Sequence, residues 1–185
     1  MTRIILAYGA IGALIVGSLM VAGMLTWPQD GQPPEANMDG GVVVGYLTQI
    51  VALTTVFLGI KHFRDRERGG VVKFLPAFLV GIGISAVASL GWVIAWEIVL
   101  AVTKLDFPEV YGQMMLDAAR ERGASEAELQ KIATDSASFG EMYKNPLFRM
   151  PITFVEMFPV GVLISLISAA LLRNSRFMPA RTATA

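Results

Sequence analysis

Two glutamates stand inside long apolar runs, Glu97 in GWVIAWEIV and Glu156 in ITFVEMFPVG. A charged side chain at the centre of a membrane helix costs about 2.5–3.5 kcal/mol, so such residues usually face a partner or water. Two carboxylates in a low dielectric can divide into an acid and a base, and a carboxylate that faces water can bind a proton or a cation. Glu97 and Glu156 are therefore the first candidates for chemistry.

The depths of the two acids are similar, and a third polar residue reaches the same level. A rise of about 1.5 Å per residue puts Glu97 about 9 Å, Glu156 about 6 Å and Gln49 about 10 Å below the predicted outer helix ends. Tyr46 lies three residues before Gln49 and shares its helix face. We therefore group these four residues as a candidate intramembrane polar site.

Two basic residues are candidate ion-pair partners for the acids. Arg149 lies seven residues before Glu156, and Lys104 lies seven residues after Glu97, so each base overlies an acid on one helix face. Long basic side chains can extend toward such partners. Paired acids would hold the helices together, whereas unpaired acids would form a polar pocket open to the outside. The sequence leaves both interpretations open, together with a third in which the acids are shallow, water-exposed side chains.

The elements that must position these residues are four apolar runs, at about 4–26, 42–60, 74–103 and 152–172. Each is at least about 19 residues long, enough to cross a hydrocarbon core of about 30 Å as a helix. A backbone in lipid must satisfy its own hydrogen bonds, so the runs are predicted to be transmembrane helices. The predicted fold is an all-α, four-helix transmembrane bundle in one domain, 1–176, followed by a disordered cytoplasmic tail, 177–185.

Orientation follows from Lys and Arg in short loops. The segment 61–73 carries five basic residues and two acidic ones, whereas the loop 27–41 has three acidic residues and no Lys or Arg. The segment 61–73 and both termini are therefore predicted in the cytoplasm, and the segments 27–41 and 104–150 outside. The basic loop also supplies candidate contacts for anionic lipid, namely Lys61, Arg64, Arg66 and Arg68.

The segment 107–144 is predicted to form an external helical hairpin. Its apolar residues recur at helical spacing, Gly123 suits a helix C-cap, and Ser125 with Glu128 matches a capping box. Such a hairpin is either a lid over the outer mouth of the bundle or an interfacial element that only packs on it.

Helix four contains a proline and a row of small residues. Pro159, one turn below Glu156, is either a simple kink or a hinge. Gly161, Ser165 and Ala169 recur at every fourth position and form a ridge on which a second helix can approach closely.

Composition argues against several kinds of site. Cysteine is absent, which excludes disulfides, thiolate metal sites and thiol nucleophiles, and the single histidine, His62, argues against imidazole metal sites. A formal net charge of zero gives no basic surface for nucleic acid. No catalytic motif is present, so we assign no catalytic residue, metal site or cofactor and do not expect an enzyme.

Three segments carry a resemblance to a known family: FLGIKHFRDRERGG, GWVIAWEI and MYKNPLFRMPITFVEMFPVGVLISLISAALLR. They resemble a bacterial family of small inner-membrane proteins, the domain-of-unknown-function family four-one-nine-nine. The resemblance covers nearly the whole chain in order and implies four spans in the bacterial inner membrane. It implies no activity, and no catalytic role is carried over with the matched residues.

Two functions from different classes are consistent with these observations. The first is a non-enzymatic membrane module: a subunit, assembly factor or homo-oligomer that contacts a larger membrane complex through small-residue ridges and the external hairpin. The alternative is a pathway for a small solute, a cation or a proton, centred on Glu97 and Glu156. The lipid bilayer is the one partner that both functions require.

Overall fold

The computed structural model describes residues 1–25 and 38–180, and these residues form helices without any strand. The predicted loop 27–41 and tail 177–185 therefore lie partly outside the described residues. A π-helical turn, Phe63–Glu67, extends the second helix. In chain order the helices are α1 (Thr2–Leu25), α2 (Met38–His62), α3 (Phe74–Thr103), α4 (Phe107–Glu121), α5 (Glu126–Tyr143) and α6 (Pro146–Leu172).

Four helical segments are long and apolar enough to cross a membrane: Thr2–Gly23, Gly45–Glu67, Phe74–Thr103 and Pro146–Leu172. The all-α class of the described residues and the presence of four long apolar helices are thus confirmed. α6 begins at Pro146, earlier than the run predicted from residue 152. The Asn145 side chain accepts a hydrogen bond from the Leu147 N–H at 3.0 Å, and Pro146 suits the first helical turn, so the cap forms before the apolar run begins.

α3 lies at the centre of the fold and contacts α1, α2 and α6. Small residues allow these close approaches: an added methyl group at Gly161 would lie 2.6 Å from the Cβ of Ser85. The Ser165 hydroxyl donates to the Gly161 carbonyl at 2.7 Å and lies 3.2 Å from the Ser85 hydroxyl. The predicted ridge on α6 therefore packs against α3 within the chain.

The long helices have two distinct ends. The hairpin end carries α4 and α5, which pack against each other and join at Gly123 in the left-handed conformation, with a φ of 76°. Ser125 caps α5 by accepting from the Glu128 N–H at 3.3 Å, as its capping box predicts. At the opposite end, called the basic end, the Met1 ammonium group pairs with Glu67 at 2.8 Å.

Candidate functional site

An ion pair between Glu97 and Arg149 joins α3 to α6 near the hairpin end. The Arg149 Nε donates to Glu97 Oε1 at 2.7 Å, and its Nη2 donates to Oε2 at 2.5 Å. The Glu97 side chain is 22% exposed and the Arg149 side chain is 16% exposed. This two-bond geometry is the strong form of a guanidinium–carboxylate contact, and it fixes both position and orientation.

The predicted ion pairs differ from this arrangement, because Arg149 bonds Glu97 rather than Glu156. Seven residues along one helix span about 10 Å, whereas a packed neighbouring helix brings side chains within direct reach. Lys104 ends α3 in the left-handed conformation, with a φ of 53°, and its N–H donates to the Leu100 carbonyl. Lys104 lines a cavity of about 390 Å³ that also contains Glu97 and Arg149.

Tyr143, the last residue of α5, connects the hairpin to the same ion pair through hydrogen bonds. Its hydroxyl accepts a 2.7 Å hydrogen bond from the Trp96 indole N–H, and its carbonyl accepts one of 3.2 Å from Arg149 Nη1. The Arg149 guanidinium also lies 5.6 Å from the centroid of the Tyr143 ring. Burial raises the pKa of Tyr143 above its ordinary value, so its hydroxyl remains protonated near neutral pH.

Glu156 borders a separate space, which we call the aromatic cavity. It measures about 260 Å³ and lies between α3, the hairpin and α6. Trp96 packs edge-on against Phe107 at 5.2 Å between centroids, and Phe139 lies 5.4 Å from Tyr143, so the walls support one another. The lining residues are Trp92, Trp96, Phe107, Phe139, Tyr143, Ile152, Thr153 and Glu156.

The two candidate residues on α2 differ in exposure to solvent. Gln49 is 2% exposed, and its Oε1 is buried without a hydrogen-bond partner, as is the hydroxyl of Ser89 on α3. Tyr46, three residues before Gln49, is 50% exposed, so the two residues of this face differ in burial. Pro159 lies on the exposed side of an uninterrupted α6. A set of three or more metal-ligating side chains is absent from residues 1–25 and 38–180.

The four residues proposed for lipid contact divide into two groups. Arg64 is completely buried, and its guanidinium donates to Asp65 and to the carbonyls of Phe177 and Met178, the last two at 2.9 Å and 2.5 Å. Arg64 therefore holds the beginning of the C-terminal segment against α2.

The other three residues of that set retain access to solvent. Lys61 pairs with Asp65 at 2.5 Å, while Arg66 and Arg68 are exposed. Lys61 and Arg66 also line a cavity of about 790 Å³ at the basic end, together with His62, whose Nδ1 lies 3.1 Å from the Tyr8 hydroxyl.

Sequence reasoning missed Tyr143 and the internal role of Arg64. A pattern was available for Tyr143, because Phe139 and Tyr143 lie four residues apart on one face of α5, after Phe107 at the start of α4. For Arg64 no local pattern exists, since its carbonyl partners lie more than a hundred residues further along the chain.

Comparison with protein families gives one match, over residues 7–174, to the family described as Protein of unknown function (DUF4199). No curated protein and no solved structure matches the chain. The match covers most of the chain, including Glu97, Arg149 and Glu156.

Proposed function

The chain belongs to the DUF4199 family, and we propose that it is a non-enzymatic module of the bacterial inner membrane. In this proposal it forms a four-span bundle with both termini in the cytoplasm, and the hairpin lies outside. Its role is that of a subunit, assembly factor or interaction protein. The four apolar helices support the membrane location, and the basic loop 61–73 supports the orientation.

The observation that carries this proposal is the Glu97–Arg149 pair. Each charge neutralises the other through two hydrogen bonds, and Arg149 also bonds the Tyr143 carbonyl in the hairpin. Glu97 is therefore used to fix the hairpin on the long helices. A fixed hairpin presents a preorganised surface, and surfaces of this kind change little when a partner binds.

The hairpin also offers the better contact surface. The ridge of Gly161 and Ser165 packs inside the chain, so it does not remain free for another protein. Tyr111 on α4 and Met142 on α5 are 44% and 49% exposed, and tyrosine and methionine are enriched at protein–protein interfaces.

Photo-crosslinking tests this assignment. A photoreactive phenylalanine analogue replaces Tyr111 or Met142 in the full-length protein, and membranes are irradiated in the native host. We expect adducts of discrete, reproducible mass at both positions. The matched control is Leu90, an exposed residue within α3 that faces lipid in the proposed topology, where only lipid adducts are expected. Absence of protein adducts at both hairpin positions would contradict the interaction surface.

A pathway for a proton or a cation is the second candidate. It is favoured by the buried Gln49 carbonyl oxygen and Ser89 hydroxyl, which lack hydrogen-bond partners between helices that belong to the predicted spans. In liposomes with an imposed gradient, this candidate predicts a flux that the Glu97→Gln variant abolishes. Equal tightness of wild-type and Glu97→Gln liposomes to protons, sodium and potassium contradicts it.

A further inference from the structure

The aromatic cavity contains a carboxyl group, that of Glu156, with which no basic side chain of the described residues pairs. Arg149, the nearest predicted partner of Glu156, is engaged by Glu97. The Thr153 hydroxyl donates its hydrogen bond to the Arg149 carbonyl at 3.0 Å and therefore does not donate to Glu156. Within the part of the chain that the structure describes, Glu156 has no ion-pair partner.

The walls of the cavity have the chemistry that attracts a cation. Aromatic rings carry negative charge on their faces, and an ammonium group within about 6 Å of a ring centroid is stabilised by it. Tyr143 already accepts the Arg149 guanidinium in this way. The rings of Trp96, Phe107 and Tyr143 contact one another, so the walls are formed before any ligand enters.

One further polar group of the cavity, the indole N–H of Trp92, lies beside Glu156. The indole nitrogen of Trp92 is buried and lies close enough to the Glu156 carboxylate for the two groups to interact. Trp92 and Glu156 both line the cavity, so an organic cation there would lie beside the carboxylate and the Trp92 ring.

We propose that the aromatic cavity binds a small organic cation of the ammonium or quaternary ammonium class, with Glu156 as its counter-charge. A volume of about 260 Å³ suits a head group rather than a larger ligand. One carboxylate with aromatic walls is a poor site for Ca²⁺ or Mg²⁺, because those ions require several oxygen ligands.

Two kinds of molecule carry an organic ammonium group of this size, a free solute and a lipid with such a head group. Glu156 is exposed at the surface of the fold, and the adjacent Val155 is 60% exposed, so the cavity lies next to a surface that faces lipid in the proposed topology. Both sources would present the cation to the same rings and carboxylate.

Calorimetric titration with tetramethylammonium chloride tests the proposal. The full-length protein in nanodiscs of phosphatidylglycerol is titrated at constant ionic strength maintained with sodium chloride. We expect saturable binding by wild type and a loss of about tenfold or more in affinity in Glu156→Gln, equivalent to about 1.4 kcal/mol. The matched control is Glu109→Gln, an acid of α4 outside the cavity, which should bind as wild type does.

A second pair of variants tests the rings while allowing for loss of folding. Trp92→Phe keeps an aromatic wall and should retain most of the affinity, whereas Trp92→Leu should lose it, with thermal unfolding measured for each variant. Absence of saturable binding by wild type, or equal affinity in wild type and in a folded Glu156→Gln or Trp92→Leu, would overturn the proposal.

Lipid composition then separates the two sources. If a lipid head group occupies the cavity, nanodiscs that contain phosphatidylcholine should weaken tetramethylammonium binding by wild type through competition. If a free solute occupies it, the affinity should be the same in both lipids. Either result identifies the source, and both require the cation binding that the preceding titration measures.

Discussion

Arg149 of α6 binds Glu97 of α3 with two hydrogen bonds, while Glu156, on the same helix as Arg149, is left without an ion-pair partner among the described residues. The two acids therefore have different roles. Glu97 belongs to the contact between the hairpin and the long helices. Glu156 is the residue to which we assign the organic cation, because no described basic side chain pairs with it.

The Glu97–Arg149 pair should be energetically coupled. Glu97→Gln and Arg149→Gln each leave one partly buried charge without its partner, so each should lower the free energy of unfolding by about 1–3 kcal/mol. The double variant should lose less than the sum of the two, by about 0.5–3 kcal/mol. Unfolding of the detergent-solubilised protein measures all three variants.

Arg122→Gln is the control for these single and double variants, because Arg122 pairs with Glu128 on the surface of the hairpin. There the Arg122 side chain is 60% exposed and the Glu128 side chain is 47% exposed. Its effect should lie within about 1 kcal/mol. Strict additivity of Glu97→Gln and Arg149→Gln would show that the two residues act independently.

The Tyr143 hydroxyl should lose its proton at a higher pH than the hydroxyl of an exposed tyrosine. Burial favours the neutral hydroxyl and raises its pKa above the ordinary value near 10, so the folded state holds this proton more strongly than the unfolded state does. The resulting stabilisation is complete below pH 10 and is lost as the pH rises through the pKa of the folded state.

Absorbance at 295 nm measures this ionisation directly. Wild type should show a high-pH component that is missing in Tyr143→Phe, whereas Tyr111→Phe, which alters an exposed ring on α4, should retain it. A Tyr143→Phe curve identical to that of wild type would contradict the assignment.

Loss of Arg64 should release the C-terminal segment. Arg64→Ala removes the hydrogen bonds to the Phe177 and Met178 carbonyls, so trypsin should cleave after Arg176 faster than in wild type. Arg66→Ala is the matched control, because Arg66 is exposed and bonds neither carbonyl. Equal cleavage rates for Arg64→Ala and Arg66→Ala would exclude a holding role for Arg64.

Gly161→Ala should destabilise the α3–α6 contact. The new methyl carbon would lie 2.6 Å from the Ser85 Cβ, and relieving such an overlap costs about 1–3 kcal/mol. Gly45→Ala provides the control, because a methyl group added there would meet no described atom within 4 Å and alanine is the better helix former. The melting temperature should fall for Gly161→Ala and remain unchanged or rise for Gly45→Ala.

Reporter fusions test the proposed topology. Fusions at Glu35 and Ala124 should report an external location, and fusions after Arg68 and at Ala185 a cytoplasmic one, because the basic residues concentrate in the loop 61–73. An external location at Ala185 would contradict the proposed orientation and require a different number of spans.

The helices could be predicted because their causes are local. Unbroken apolar runs specify the four long helices, and Ser125 and Gly123 mark helix boundaries through their own side-chain and backbone preferences. The all-α class therefore follows from the sequence alone.

The pairing of charges could not be predicted in the same way. Lys104 and Arg149 each overlie an acid on their own helix, but the pair that forms depends on how α3 and α6 align, which neither helix specifies by itself. The burial of Arg64 likewise depends on carbonyl groups far along the chain. Contacts of this kind require knowledge of the tertiary packing.

The central position of α3 has a consequence for biosynthesis. α1 packs its small residues on α3, since an added methyl group at Gly9 or Gly83 would meet Val87 or Ile5, respectively. α3 is made only after α2, so α1 must remain in the bilayer with this face uncovered while more of the chain is translated. During that interval, in the proposed topology, this face of α1 has lipid rather than α3 as its neighbour.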